Sequence, residues 1–170
     1  MNLELLQGAS WYYRKRIAQL IKNENVLVTI KFGGRISEVY FDNRVLQIKK
    51  WGFCLSTMTI EENGNVLFSQ RRVGFWGYKH DVLIGNRAYR CISKLRWHYH
   101  VDYTDSFGNE IISYHQSSWK WNPPIQFNMN RSAAPLNDLL LLIISGYVTL
   151  RKLKQDSDAA VVATTLVVSG

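Results

Sequence analysis

The sequence predicts a mainly β protein, an antiparallel β-barrel enclosing an apolar α-helix near the C-terminus, and three observations predict it. Turn-forming pairs recur at Asp42-Asn43, Asn63-Gly64, Gly85-Asn86 and Gly108-Asn109, a spacing of about 21 to 22 residues that holds two strands and their turns. Between the turns, apolar and polar residues alternate. Residues 139–150 then run without a charged side chain, preceded by Asn137-Asp138 and followed by Arg151-Lys152. Because roughly 20 apolar residues are needed to cross a bilayer, that run is too short for a membrane span and belongs in a protein core. A helix apolar on nearly every side needs a shell around it, and the strands are able to supply one. A closed sheet of about 12 strands or fewer would also leave no exposed edge.

At 170 residues the chain suits one domain with its own core: residues 25–154 form the barrel and helix, residues 1–24 an N-terminal part of the same domain, and residues 155–170 a tail. The N-terminal part is ambiguous in period. Tyr13, Ile17, Leu20 and Ile21 suit a helix, whereas Trp11 and Tyr13 suit a strand. Val26, Val28, Ile30 and Phe32 fall on one strand face and Leu27, Thr29 and Lys31 on the other. Phe53 and Leu55 are out of phase with Met58 and Ile60, which suggests a β-bulge near Ser56.

Trp97, Tyr99, Val101 and Tyr103 make a dry face opposite Arg96, His98, His100 and Asp102. Paired prolines in Trp119-Lys-Trp-Asn-Pro-Pro124 break the pattern before Ile125, Phe127 and Met129 resume it. The four hairpins share no residue pattern, so the repeat is read as geometric and neither a solenoid nor a propeller is expected. The helix is expected over residues 135–154. Pro135 suits its first turn, Asp138 its positive end, and Arg151, Lys152 and Lys154 its carbonyl end. Gly146 inside it costs about 1 kcal/mol relative to alanine, which fits a position where a strand backbone or a large aromatic presses closely. Residues 155–170 read as a strand or a loosely held tail, with Ser157 or Asp158 able to cap a short second helix instead.

A β-rich body with hairpins such as residues 97–114, followed by Pro135-Leu-Asn-Asp-Leu-Leu-Leu-Leu, resembles the tubby C-terminal-like group, which includes LURP-one-related proteins and phospholipid scramblases. The resemblance covers residues 26–154. It implies an apolar helix threaded through the barrel and an outer surface that, in some members, binds phosphoinositides or membranes. The chain carries no tubby C-terminal signature, no cysteine-rich palmitoylation cluster and no acidic loop of the EF-hand kind, so lipid scrambling is not implied.

A net charge of +8 favours anionic partners, namely phospholipid headgroups, phosphoinositides or nucleic acid. Cys54 and Cys91 have neither disulfide-framework nor zinc-ligand spacing, and the first 20 residues lack the apolar core of a signal peptide. A cytoplasmic protein, peripheral to anionic membranes and without a transmembrane span, is the expectation. Lys49, Lys50, Arg71, Arg72 and Lys79 are the candidate headgroup ligands, because cations converging from neighbouring turns donate charge-assisted hydrogen bonds to phosphate. Arg14-Lys15-Arg16 is a further basic group, and Gly74-Phe75-Trp76-Gly77-Tyr78 offers interfacial aromatics or a plug for a barrel end.

His98 and His100 with His115 are a conceivable metal set, for which a polar outer face is the simpler account; no metal and no cofactor is expected. Asp102, Asp105 and Glu110 stand near these histidines, but no nucleophile elbow or glycine-rich phosphate loop accompanies them, and an enzyme is not expected. The alternatives are a single-stranded nucleic-acid-binding barrel or a protein-interaction scaffold. Against the first, the aromatics and cations of residues 96–103 alternate and so lie on opposite faces.

Overall fold

The computed structural model describes residues 3–51, 56–73, 78–95, 98–117 and 124–168. A short turn of helix, α1 (Leu3–Leu6), precedes five strands: β1 (Ser10–Arg14), β2 (Ile17–Lys22), β3 (Asn25–Lys31), β4 (Ile36–Phe41) and β5 (Arg44–Trp51). Seven more follow as β6 (Thr57–Glu62), β7 (Asn65–Val73), β8 (Lys79–Ile84), β9 (Arg87–Leu95), β10 (His98–Thr104), β11 (Glu110–Ser117) and β12 (Phe127–Met129), and the chain ends in α2 (Leu136–Val168). Each strand pairs antiparallel with the next, in sequence order, from β1 to β12. The sheet curls into a nearly closed barrel whose last gap is bridged by Trp11 and Ile125, which exchange backbone hydrogen bonds of 2.9 and 3.0 Å.

The N-terminal ambiguity resolves into strands. Lys15 and Arg16 both adopt positive φ (46° and 69°), as do Asn23 and Glu24 (47° and 66°), so β1, β2 and β3 are joined by two-residue turns of the primed type that matches strand twist. Asp42-Asn43 and Asn63-Gly64 turn in the same way, as expected. The turn at Asn23-Glu24, outside the four expected ones, shares a residue pattern with the turn at Asn63-Gly64. Asn23-Glu-Asn-Val-Leu-Val28 and Asn63-Gly-Asn-Val-Leu-Phe68 each contain a register shift, opposite Leu20 and Ile21 and opposite Ile60 and Glu61, with Leu27 and Leu67 as the extra residues. Each shift places an extra residue in the strand, so Val28 and Phe68 point inward while Val26 and Val66 are exposed. Val26 therefore does not share the inner face with Val28 and Ile30, contrary to simple alternation. The bulge expected near Ser56 adjoins residues 52–55, which lie outside the described residues.

Residues 139–150 of α2 are all buried, a stretch of about 18 Å with no solvent-facing side. Strands far apart in the sheet reach it. Trp11 of β1 stacks on Tyr147 with ring centroids 4.4 Å apart, and Gln70 of β7 donates to Thr149 at 3.2 Å. Tyr103 of β10 donates to Gln70 Oε1 and lies 3.0 Å from Ser145 Oγ, while Tyr114 of β11 donates to the Ile143 carbonyl at 2.6 Å. At the entry, Asp138 is buried and accepts two hydrogen bonds from the Arg87 guanidinium at 2.6 and 2.7 Å and one from Tyr89 at 2.6 Å. These polar contacts fix the helix in depth and rotation, which apolar packing alone leaves less specified.

The helix does not stop at Lys154. It continues to Val168, so residues 155–168 are neither a strand nor a separately capped helix, and Arg151, Lys152 and Lys154 lie along it rather than at its carbonyl end. A helix nucleated in the barrel propagates cheaply, and the Lys154–Asp158 ion pair one turn apart supports it where it leaves the core. No helix among the described residues is long and apolar enough to cross a membrane.

Candidate functional site at the barrel mouth

Strand parity builds the site. In β5, Leu46 and Ile48 are buried inside the barrel, so two residues further on Lys50 also points inward. The same count carries β7 from Phe68 and Gln70 to Arg72, β8 from Ile84 and Val82 back to His80, and β9 from Cys91 to Ser93. Each series begins apolar in the middle of the barrel and ends polar at one mouth. There α2 presents Val148, Thr149, Lys152, Leu153 and Asp156, spaced so that they lie along one helix face. Together these residues line a cavity of about 220 Å³ with Ser56 and Met58 in its wall.

The cavity is rich in basic side chains and poor in acids: Lys50, Arg72 and Lys152, with His80 beside them, face Asp156, the one carboxylate of its lining among the described residues. Burial, followed by the nearby charges of Arg151 and Lys152, pushes the Lys50 ammonium down to about 8. Burial, with Lys152 and Arg72 beside it, pushes His80 down to about 4, so its imidazole is neutral at ordinary pH; Nε2 lies 3.3 Å from Ser93 Oγ. Arg151 closes the adjoining side. Its guanidinium carbon sits 4.2 Å from the centre of the Tyr13 ring and 3.8 Å from that of Phe32, and it donates to Tyr13 Oη at 2.6 Å.

Of the five cations expected to act together, the structure brings only Lys50 and Arg72 into the cavity. Lys49, Arg71 and Lys79 occupy the alternate positions of their strands and face outward. Lys49 ion-pairs there with Glu61 at 2.6 Å, and this hydrogen bond holds the Glu61 carboxyl below the usual carboxylate range. Sequence neighbours such as Arg71-Arg72 cannot serve one inward site, because successive strand side chains point to opposite faces. His80, Ser93, Lys152 and Asp156 complete the lining and were not among the candidates. Counting in steps of two from Val82 finds His80, and Lys152 lies within the expected helix, but Asp156 requires the helix to run past Lys154.

The antiparallel order directs the ends of β1, β5 and β7 to this mouth, so the exposed Arg14, Lys15 and Arg16 turn stands at the same end as Lys49, Arg71 and Lys79. Hairpin turns at the far end carry Glu24, Asp42 and Asp105 instead. Phe75 and Trp76 lie outside the described residues, and Tyr78 is exposed. Comparison of the chain with protein-family models, with curated proteins and with solved structures finds no match to any of them.

Proposed function

We propose that the chain is a non-enzymatic, tubby-like binding domain that takes the phosphorylated headgroup of an anionic phospholipid or phosphoinositide into the barrel mouth, working peripherally at a membrane surface. The observation that carries this reading is the convergence of Lys50, Arg72 and Lys152 on one cavity with, among the described residues, a single carboxylate in its lining. Burial first, and then the neighbouring charges of Arg151 and Lys152, disfavour the charged form of Lys50 in this partly dehydrated space. A phosphate offsets that penalty and accepts hydrogen bonds from all three, with the Ser56, Ser93 and Thr149 hydroxyls as further donors. The exposed basic ring at the same end then draws the mouth towards an anionic surface.

Single-stranded nucleic acid is the weaker partner. Tyr99 and Tyr103, the aromatics of β10, are inside the barrel, which leaves that strand no stacking platform on its outer wall. The test is co-sedimentation with vesicles containing or lacking phosphoinositide, beside a single-strand mobility shift at the same salt. Wild-type protein is expected to pellet with phosphoinositide vesicles, and Lys50→Glu with Arg72→Glu to remain in the supernatant. Pelleting that is indifferent to vesicle charge and to these substitutions would overturn the proposal. Binding to neither partner would leave the protein-interaction role.

A further inference from the structure

A second cluster stands on the outer wall, away from the mouth cavity. His100 of β10 and His115 of β11 are register partners, with ring centroids 3.9 Å apart and planes at 69°. Asp102 lies two residues along β10 on the same outward face, since Tyr99, Val101 and Tyr103 occupy the inward positions. Its register partner is Ser113, which makes His115 its diagonal neighbour across the hairpin; His115 Nε2 and Asp102 Oδ1 are 3.7 Å apart. One donor atom from each of the three residues lies within 4.8 Å of the other two.

Asp102 Oδ1 adds an independent sign. It is shut off from solvent and has no hydrogen-bond partner among the described residues. A carboxylate oxygen left in that condition is costly, and the 3.7 Å to His115 is too long for a hydrogen bond to satisfy it. A cation held between the two imidazoles and this oxygen satisfies it directly.

We propose that His100, Asp102 and His115 bind a divalent transition-metal ion of the zinc type on the outer wall of the barrel. Two imidazole nitrogens and one carboxylate oxygen are a ligand set that zinc accepts at about 2.0 to 2.2 Å, which places the ligand atoms roughly 3.3 to 3.5 Å apart. The 3.7 Å between His115 Nε2 and Asp102 Oδ1 is already close to that spacing, and the 4.8 Å within which all three ligand atoms lie is within reach of side-chain rotation in a cluster whose His115 is half exposed. The fourth position opens to solvent and takes water. The ion ties β10 to β11, the hairpin whose inner face carries the Tyr103 and Tyr114 contacts to α2.

The test uses the full chain, stripped with chelator and desalted, titrated with zinc chloride in a calorimeter and with cobalt chloride in a spectrophotometer. One equivalent of zinc is expected to bind and raise the melting temperature, and one equivalent of cobalt to give the intense visible absorption of four-coordinate Co2+. His115→Ala and Asp102→Asn lose both signals, while circular dichroism reports that each variant is folded. His98→Ala, one register step along the same face, keeps them, and so does Lys50→Glu with Arg72→Glu, which separates this site from the mouth. Absence of a one-equivalent event in the wild type, or its survival in His115→Ala, overturns the proposal.

Discussion

The ring of Tyr114 occupies the place where a side chain on Gly146 would stand. A Cβ added at Gly146 falls 2.5 Å from Tyr114 Cε2 and 3.2 Å from Tyr103 Cε2. Neither ring is free to retreat. Tyr114 Oη is held by the Ile143 carbonyl and by the Trp11 indole N–H, and Tyr103 Oη by Gln70 and Ser145. The close approach expected at this glycine is thus made by a strand aromatic.

Gly146→Ala sets two effects against each other. Helix propensity favours alanine by about 1 kcal/mol, whereas forcing a methyl into a filled site costs typically 1 to 3 kcal/mol and here displaces two hydrogen-bonded rings. The expected outcome is net destabilisation, read as a lower denaturant midpoint at unchanged slope. A stabilised variant would show that the rings yield.

A charge inside the barrel is a sharper disturbance. Ile144 is fully buried and Leu141 nearly so. Ile144→Asp is expected to unfold the domain, because an unpaired buried carboxylate costs several kcal/mol against a total stability of about 5 to 15. Leu141→Asp is expected to follow it, and circular dichroism with thermal melting reads both. A soluble variant that melts cooperatively near the wild-type temperature would contradict the enclosure of α2.

Asp138 tests the entry of the helix. Asp138→Asn keeps the shape but weakens the charge-assisted hydrogen bonds from Arg87 and leaves an amide group facing donors, at an expected cost of about 2 kcal/mol by denaturant melts. Arg87→Met is expected to destabilise as well, since it leaves a buried carboxylate with Tyr89 alone among these partners.

The mouth has a pH signature. His80 titrates near 4 in the folded chain against an ordinary value of 6.5, so between those limits the unfolded chain holds more protons. Stability is therefore lost as pH falls from about 6.5 to 4, by at most about 3 kcal/mol, and His80→Gln is expected to flatten that part of the profile. Lys50, held near 8 against an ordinary 10.5, likewise makes the free protein more stable as pH rises from about 8 to 10.5. A bound phosphate raises the Lys50 value, so binding near pH 8 is expected to take up protons. Calorimetry in two buffers of different ionisation enthalpy measures that uptake, and buffer-independent heats would contradict it.

What the sequence made legible was decided by period. Tyr99, Val101 and Tyr103 lie inside as their alternation required, and the uncharged run 139–150 is buried on every side. The β1–β2 and β2–β3 turns are hard to read because Lys15, Arg16 and Glu24, which are not typical turn residues, adopt positive φ, and the extra residue Leu27 puts Val26 out of phase with Val28. The end of α2 was misplaced because Gln155-Asp-Ser-Asp158 reads as a stop, whereas a helix anchored in a core carries through such residues. The candidate cations were sound in kind but grouped by adjacency along the chain, and adjacency in a strand separates side chains rather than uniting them. Lys50 of β5 and Arg72 of β7 meet only because both strands, on either side of β6, bring the same parity to one mouth.

The most direct test of the mouth site removes equal charge from its two faces. Calorimetric titration with a soluble inositol phosphate compares Lys50→Met with Arg72→Met against Arg71→Met with Lys79→Met. A single saturable event that vanishes in the inward pair and survives in the outward pair is the predicted result. Equal loss in both pairs, or no saturable event in the wild type, would contradict it.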